Sequence, residues 1–178
     1  RMAYSRLNYP GAEPRALVDL PRADVRSLGE TYIAAAQKRL GTQARFTDKS
    51  IQSYLMTGLI RQAIPGARII VVRRDPRDVA LSIYKNVFAE GTHRYAYDLE
   101  DLAHYCSVFL RVLDYWRDRL PGGFEEIRYE DLVADPEPQI RALVSAAGLD
   151  WEDACLETGT TSGRVRTLSI YQVRQPIY

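Results

Sequence analysis

The sequence predicts an α/β layered fold, a single domain over residues 1–178 in which helices cover a parallel sheet. Three observations predict it. Strand-like and helix-like segments alternate along the chain, which argues for packed α/β layers. The strongest strand, Ile69, Ile70, Val71 and Val72, shows no apolar–polar alternation, as expected of a strand buried on both faces of a parallel sheet. A helix start, Asp75-Pro76, follows almost at once, with aspartate as the cap and proline at the first helical position.

Residues 1–21 hold Pro10, Gly11, Pro14 and Pro21 and are expected to be loop-rich. From Arg22 to Leu40, Val25, Leu28, Tyr32, Ile33, Ala36 and Leu40 recur at helical spacing, and Gly41 stands at the C-cap position. Residues 44–47 are expected to form a short strand. A helix over 51–63 ends before Pro65 and Gly66, and a strand follows over 68–73. The helix that starts at Asp75 is expected to run to about residue 88. Residues 98–120 form the longest helix, with Leu99, Leu102, Cys106, Phe109, Leu113, Trp116 and Leu120 three or four apart, stopped by Pro121, Gly122 and Gly123. A strand over 124–129, a helix over 136–147 and a surface loop over 159–178 complete the pattern.

The chain has 24 basic and 23 acidic side chains, a net charge of +1, so any polyanion site must be a local cluster. RNA binding is correspondingly disfavoured. No apolar run approaches the roughly 18 residues of a membrane span, and residues 1–20 lack a signal pattern, so a soluble, cytoplasmic domain is expected. Cys106 and Cys155 form no CxxC pair and are expected to be reduced thiols. His93 and His104 lack partners at metal-ligand spacing, so no metal is expected. Of the 24 basic residues only Lys38, Lys49 and Lys85 are lysines.

In an α/β sheet the chemistry is expected at the carboxyl ends of the strands, which singles out three junctions. At Thr47-Asp48-Lys49 a lysine in a helix's first turn would oppose the positive helix end. It either pairs with Asp48 or serves a bound phosphate or sulfate. At Arg73-Arg74-Asp75 only one arginine can face a given pocket. Ser82 shares a helix face with Asp75 and Val79, and an arginine folded along that face could share one phosphate with its hydroxyl. An Arg–Asp surface pair beside an ordinary serine is the alternative. At Arg128-Tyr129-Glu130 the tyrosine ends a strand, either packing on the next helix or touching a purine ring.

The blocks FTDKS, IIVVRRDPRDVALSIY, IRYEDLV with DPE, and VRTLSIYQVRQPIY occur in this order. Together they resemble the C-terminal sulfotransferase domain of bacterial tetratricopeptide-containing sulfotransferases, relatives of tyrosylprotein sulfotransferases. The resemblance covers nearly all of residues 45–178. It implies a three-layer, P-loop-NTPase-like parallel sheet flanked by helices. It also implies sulfuryl transfer from 3'-phosphoadenosine 5'-phosphosulfate (PAPS), as cosubstrate, to an acceptor hydroxyl, without a metal. By the same resemblance Arg74 and Ser82 hold the 3'-phosphate of the donor. Lys49 stands at the sulfate and its leaving oxygen, and Tyr129 lies near the adenine. Ser169 is linked to the transferred group, and Gln172, Val173 and Arg174 continue along the donor. Tyrosylprotein relatives carry a further basic residue where this chain has Asn86.

The family's PRSGTT-like phosphate loop has no counterpart in the 178 residues. The expectation is therefore a fragment without that loop and its strand, inactive alone. No general base is identified, although Glu30 is considered. The alternative function is a non-catalytic module binding a 3'-phosphoadenosine nucleotide or a protein, which would have little use for Lys49. A kinase relative would need a GxxxxGK[ST] loop, which is absent. The acceptor could be a peptide tyrosine, a glycan, a lipid head group or a small metabolite. Tyr95, Tyr97 and Glu90-Gly91 are expected near its entrance.

Overall fold

In a computed structural model the chain is described over residues 21–41, 45–88 and 93–157. It forms two compact units, one up to Ala67 and one from Arg68.

The first unit is built on helix α1 (Arg22–Leu40), which ends where Gly41 adopts φ +68° and its N–H meets the carbonyl of Gln37. That left-handed cap is the one glycine makes without strain. Helix α1 packs on α2 (Thr57–Ala63), which is preceded by a 3₁₀ segment, Ile51–Met56. Gly29 makes the contact possible, because a Cβ there would stand 2.0 Å from the carbonyl oxygen of Ala63. Val25, Ala63 and Thr57 are buried, and the Thr57 hydroxyl donates to the Tyr54 carbonyl at 3.0 Å. The strand expected at 44–47 is not formed over its described part: residues 45–50 have no regular structure. Among the described residues no neighbouring strand pairs with them, and an isolated strand has no hydrogen-bonding partner to hold it.

The second unit centres on two parallel strands, β1 (Ile70–Arg73) and β2 (Glu125–Arg128), in the register Ile70 to Glu125, Val71 to Glu126, Val72 to Ile127 and Arg73 to Arg128. Helix α3 (Pro76–Tyr84) follows β1, α4 (Leu99–Arg119) follows a 3₁₀ turn at Arg94–Tyr97, and α5 (Tyr129–Ala134) and α6 (Pro136–Ala146) follow β2. A last 3₁₀ turn, Asp153–Leu156, packs on α6. Asp75 is the cap the sequence marks, and Asp98, expected as the first residue of its helix, is a cap as well. Asp75 accepts from the Arg77 N–H at 2.8 Å, and Asp98 accepts from the N–H groups of Glu100 and Asp101 at 2.9 and 3.0 Å. Ala96, Leu102, Leu113, Ile127 and Ile140 are the buried core.

Side chains of paired residues share a sheet face, so Val71, Arg73 and Glu126 lie together. There Arg117, from α4, grips Glu126 at 2.5 and 2.8 Å, and Arg73 reaches the same carboxylate at 3.3 Å. The other face holds Ile127, which is buried, and Val72, which is 58% exposed. Burial of β1 on both faces is therefore incomplete: among the described residues the sheet has only two strands, too few to be covered throughout. Two further expectations change. Helix α3 stops at Tyr84, short of residue 88, and Asn86 donates its side-chain amide to the Ser82 carbonyl at 2.6 Å, satisfying an acceptor that the ended helix leaves open. Tyr129 begins a helix instead of ending a strand.

Candidate functional site

The register fixes what stands at the carboxyl edge of the sheet. Arg73 is paired with Arg128, so the next residues, Arg74 and Tyr129, leave the two strands side by side. The Arg74 guanidinium carbon sits 4.9 Å from the centre of the Tyr129 ring, within the range of a cation–π contact. One residue further, the Asp75 N–H donates to Glu130 at 2.7 Å. That bond is the first cause holding the Glu130 carboxyl below its ordinary value. These two ties join the start of α3 to the start of α5.

Helix α3 carries the rest of the site. Arg74 donates through Nε and Nη2 to one oxygen of Asp78, at 3.3 and 3.2 Å. Ser82 is one helical turn beyond Asp78 on the same face. It is exposed, and its hydroxyl makes no hydrogen bond to a described residue. Arg77 turns back on the cap and holds Asp75 at 2.7 and 3.0 Å, pulling its carboxyl down to about 2. Arg73 lies on the opposite side of the strand with Glu126. Of the two consecutive arginines, Arg74 is thus the one beside Tyr129 and Ser82's helix.

In the first unit Lys49 is exposed and stands ahead of Ser50, the cap of the 3₁₀ segment. It is outside the helix, so the opposition to a helix end expected from the sequence does not arise. Nor does Asp48 pair with it: Asp48 accepts the phenolic hydrogen of Tyr32. Lys49 has no hydrogen bond or ion pair with another described residue. Glu30 is exposed on α1 and likewise meets no described partner.

Around the entrance expected at Tyr95 and Tyr97, the tyrosines hold one another and the backbone. Tyr95 stacks on Tyr105 at 3.9 Å and 4°, and the Tyr97 hydroxyl receives the Phe88 N–H at 2.8 Å. Glu90-Gly91 and the C-terminal residues Ser169, Gln172, Val173 and Arg174 lie outside the described residues. Cys106 and Cys155 are free thiols, and burial pushes the Cys106 thiol up. Among the described residues no three His, Cys, Asp or Glu side chains gather as a metal centre would need, and no helix is long and apolar enough to cross a membrane.

The Arg–Asp surface pair that the sequence offers as an alternative is formed, by Arg74 and Asp78 at 3.2 Å. One residue of this edge is not singled out from the sequence. Glu130 could be placed only by knowing that β1 and β2 are neighbours.

The sequence model of the Sulfotransferase family matches residues 11–153. An uncharacterized protein of Aquifex aeolicus (strain VF5) is 33% identical over 178 residues, covering 97% of this chain and 23% of that protein. The omega-hydroxy-beta-dihydromenaquinone-9 sulfotransferase Stf3 of Mycobacterium bovis is 33% identical over 99 residues, covering 51% of this chain and 25% of its own, and that of Mycobacterium tuberculosis is matched equally. The chain thus spans about a quarter of the length of these relatives.

Proposed function

The chain belongs to the Sulfotransferase family, and from that premise we propose that it transfers a sulfuryl group from PAPS to an acceptor hydroxyl. The observation that supports this most is the grouping of Arg74, Tyr129 and the Ser82 helix at the carboxyl edge of the parallel strands. A guanidinium fork matches a phosphate, and an aromatic face beside it suits a purine. The Arg74–Asp78 pair does not oppose the role. A largely exposed Arg–Asp pair of this kind is worth only about 0.2–1 kcal/mol, and a phosphate dianion is a stronger partner for the same donors. Arg74 and the Ser82 hydroxyl are proposed to hold the 3'-phosphate, with Tyr129 beside the adenine.

In the reaction an acceptor oxygen attacks sulfur, the bond from sulfur to the bridging oxygen breaks, and 3',5'-adenosine bisphosphate leaves. Negative charge grows on the bridging oxygen. A cation placed there stabilises the transition state more than the ground state, and Lys49, an exposed ammonium without a described partner, is proposed for it. Ser169 is proposed at the transferred group, and Gln172, Val173 and Arg174 along the donor. The mycobacterial relatives are named for an omega-hydroxy compound, consistent with a hydroxyl as the attacking group.

The test is release of 3',5'-adenosine bisphosphate from PAPS by the full-length protein. Acceptors offered are p-nitrophenol, an alkyl alcohol and a tyrosine peptide. Lys49→Ala should lower turnover by about 100-fold or more while leaving affinity for the product nucleotide within a few-fold. Undiminished turnover would contradict the assignment.

A further inference from the structure

We infer that Tyr32 is a positioning residue for Lys49, acting by holding Asp48 away from it; this rests on the catalytic role proposed for Lys49. The reactive ammonium sits in residues 45–50, which have no regular structure and so no backbone ladder to fix it. Its sequence neighbour Asp48 is the nearest possible counter-ion along the chain. A carboxylate beside the ammonium would satisfy it in the resting state and lessen the gain from meeting new negative charge in the transition state. Tyr32 prevents that. It projects from α1, sixteen residues earlier, and donates its phenolic hydrogen to Asp48 Oδ2. The donor is firmly protonated, since burial, followed by the hydrogen bond and charge of Asp48, pushes the phenol up to about 12. Asp48 is thus committed to a helix, while Lys49 makes no hydrogen bond or ion pair with any described residue.

The tether also anchors the segment directly ahead of the Ser50 cap. A lysine has a flexible four-carbon stem, so its aim depends on a fixed backbone origin. Tyr32 and Asp48 supply that origin from a helix of nineteen residues.

Tyr32→Phe keeps the ring and removes the hydroxyl. In the full-length protein it should lower kcat with the acceptors named above by about tenfold, with KM for PAPS within about twofold. Adding Asp48→Asn to Tyr32→Phe should recover much of kcat, because an amide cannot neutralise the ammonium; a merely structural tether would not give that recovery. A second readout needs no acceptor. The rate at which an amine-reactive ester labels Lys49, followed by mass spectrometry, should fall severalfold in Tyr32→Phe as Asp48 pairs with the lysine, and rise again in the double variant. Unchanged kcat and labelling in Tyr32→Phe, or a double variant no better than the single, would overturn the inference. Wild-type turnover in Lys49→Ala would instead remove the catalytic reading on which it rests.

Discussion

The guanidinium of Arg74 lies over the ring of Tyr129 at 4.9 Å although the two are 55 positions apart. The parallel register that pairs Arg73 with Arg128 produces the contact, since each residue is the first beyond its strand. The ring supports the cation and leaves the guanidinium edge for an anion. Tyr129→Phe, which keeps the π face, should bind 3',5'-adenosine bisphosphate nearly as the parent does. Tyr129→Ala should lose about tenfold, the combined scale of a cation–π contact and base stacking. Titration calorimetry separates the two, and equal losses would assign the effect to the hydroxyl.

Asp78 and Ser82 should act in opposite directions. Asp78 holds one face of the Arg74 fork at 3.2 and 3.3 Å, so Asp78→Asn should tighten the bisphosphate by a few-fold by releasing those donors. Ser82→Ala should weaken it by about 3- to 10-fold, the scale of one hydrogen bond. A tighter Ser82→Ala variant would show that the hydroxyl does not face the phosphate.

Glu126 should make stability depend on acid. The guanidinium of Arg117, with that of Arg73 behind it, holds its carboxyl below the ordinary 4.5. A depressed carboxylate contributes stability fully above its unfolded value and loses it as pH falls through the folded value. Denaturant melts should therefore show a loss below pH 4.5 that Glu126→Gln flattens, with lower stability at neutral pH in the variant. A Glu126→Gln profile that parallels the parent would contradict this role.

Gly29 should tolerate no side chain. A Cβ would meet the Ala63 carbonyl oxygen at 2.0 Å, and Gly29→Ala should cost about 1–3 kcal/mol, the usual scale of overpacking. Hydrogen exchange along α1 and α2 would report it, with faster exchange expected in the variant. Unaltered protection would mean that the helices do not meet this closely.

Local patterns made much of this architecture legible. Helical spacing and Gly41 mark α1 to its observed ends, and Asp75-Pro76 and Asp98 mark the starts of α3 and α4. What escaped depends on partners distant in sequence. Residues 45–47 have strand-like composition yet find no described strand to pair with. Tyr129 looks like a strand end because nothing local announces α5, whose start is tied to Asp75 through Glu130. At the candidate site, residue type and strand-end position mark Lys49, the Arg73–Arg74 pair with Ser82, and Tyr129 only as candidates, and it is the resemblance that implies Arg74 over Arg73 and gives each its role. The bond of Tyr32 to Asp48 and the contact of Arg74 with Tyr129 needed the fold.

Arg74 is proposed to recognise the phosphate on the ribose 3' oxygen. Calorimetry of the parent and Arg74→Ala with 3',5'-adenosine bisphosphate and with adenosine 5'-monophosphate tests it most directly, because the ligands differ only in that phosphate. The expected result is a loss of about 10- to 150-fold for the bisphosphate, the scale of one hydrogen bond to a charged group, with little change for the monophosphate. An equal loss for both nucleotides, or none for either, would contradict it.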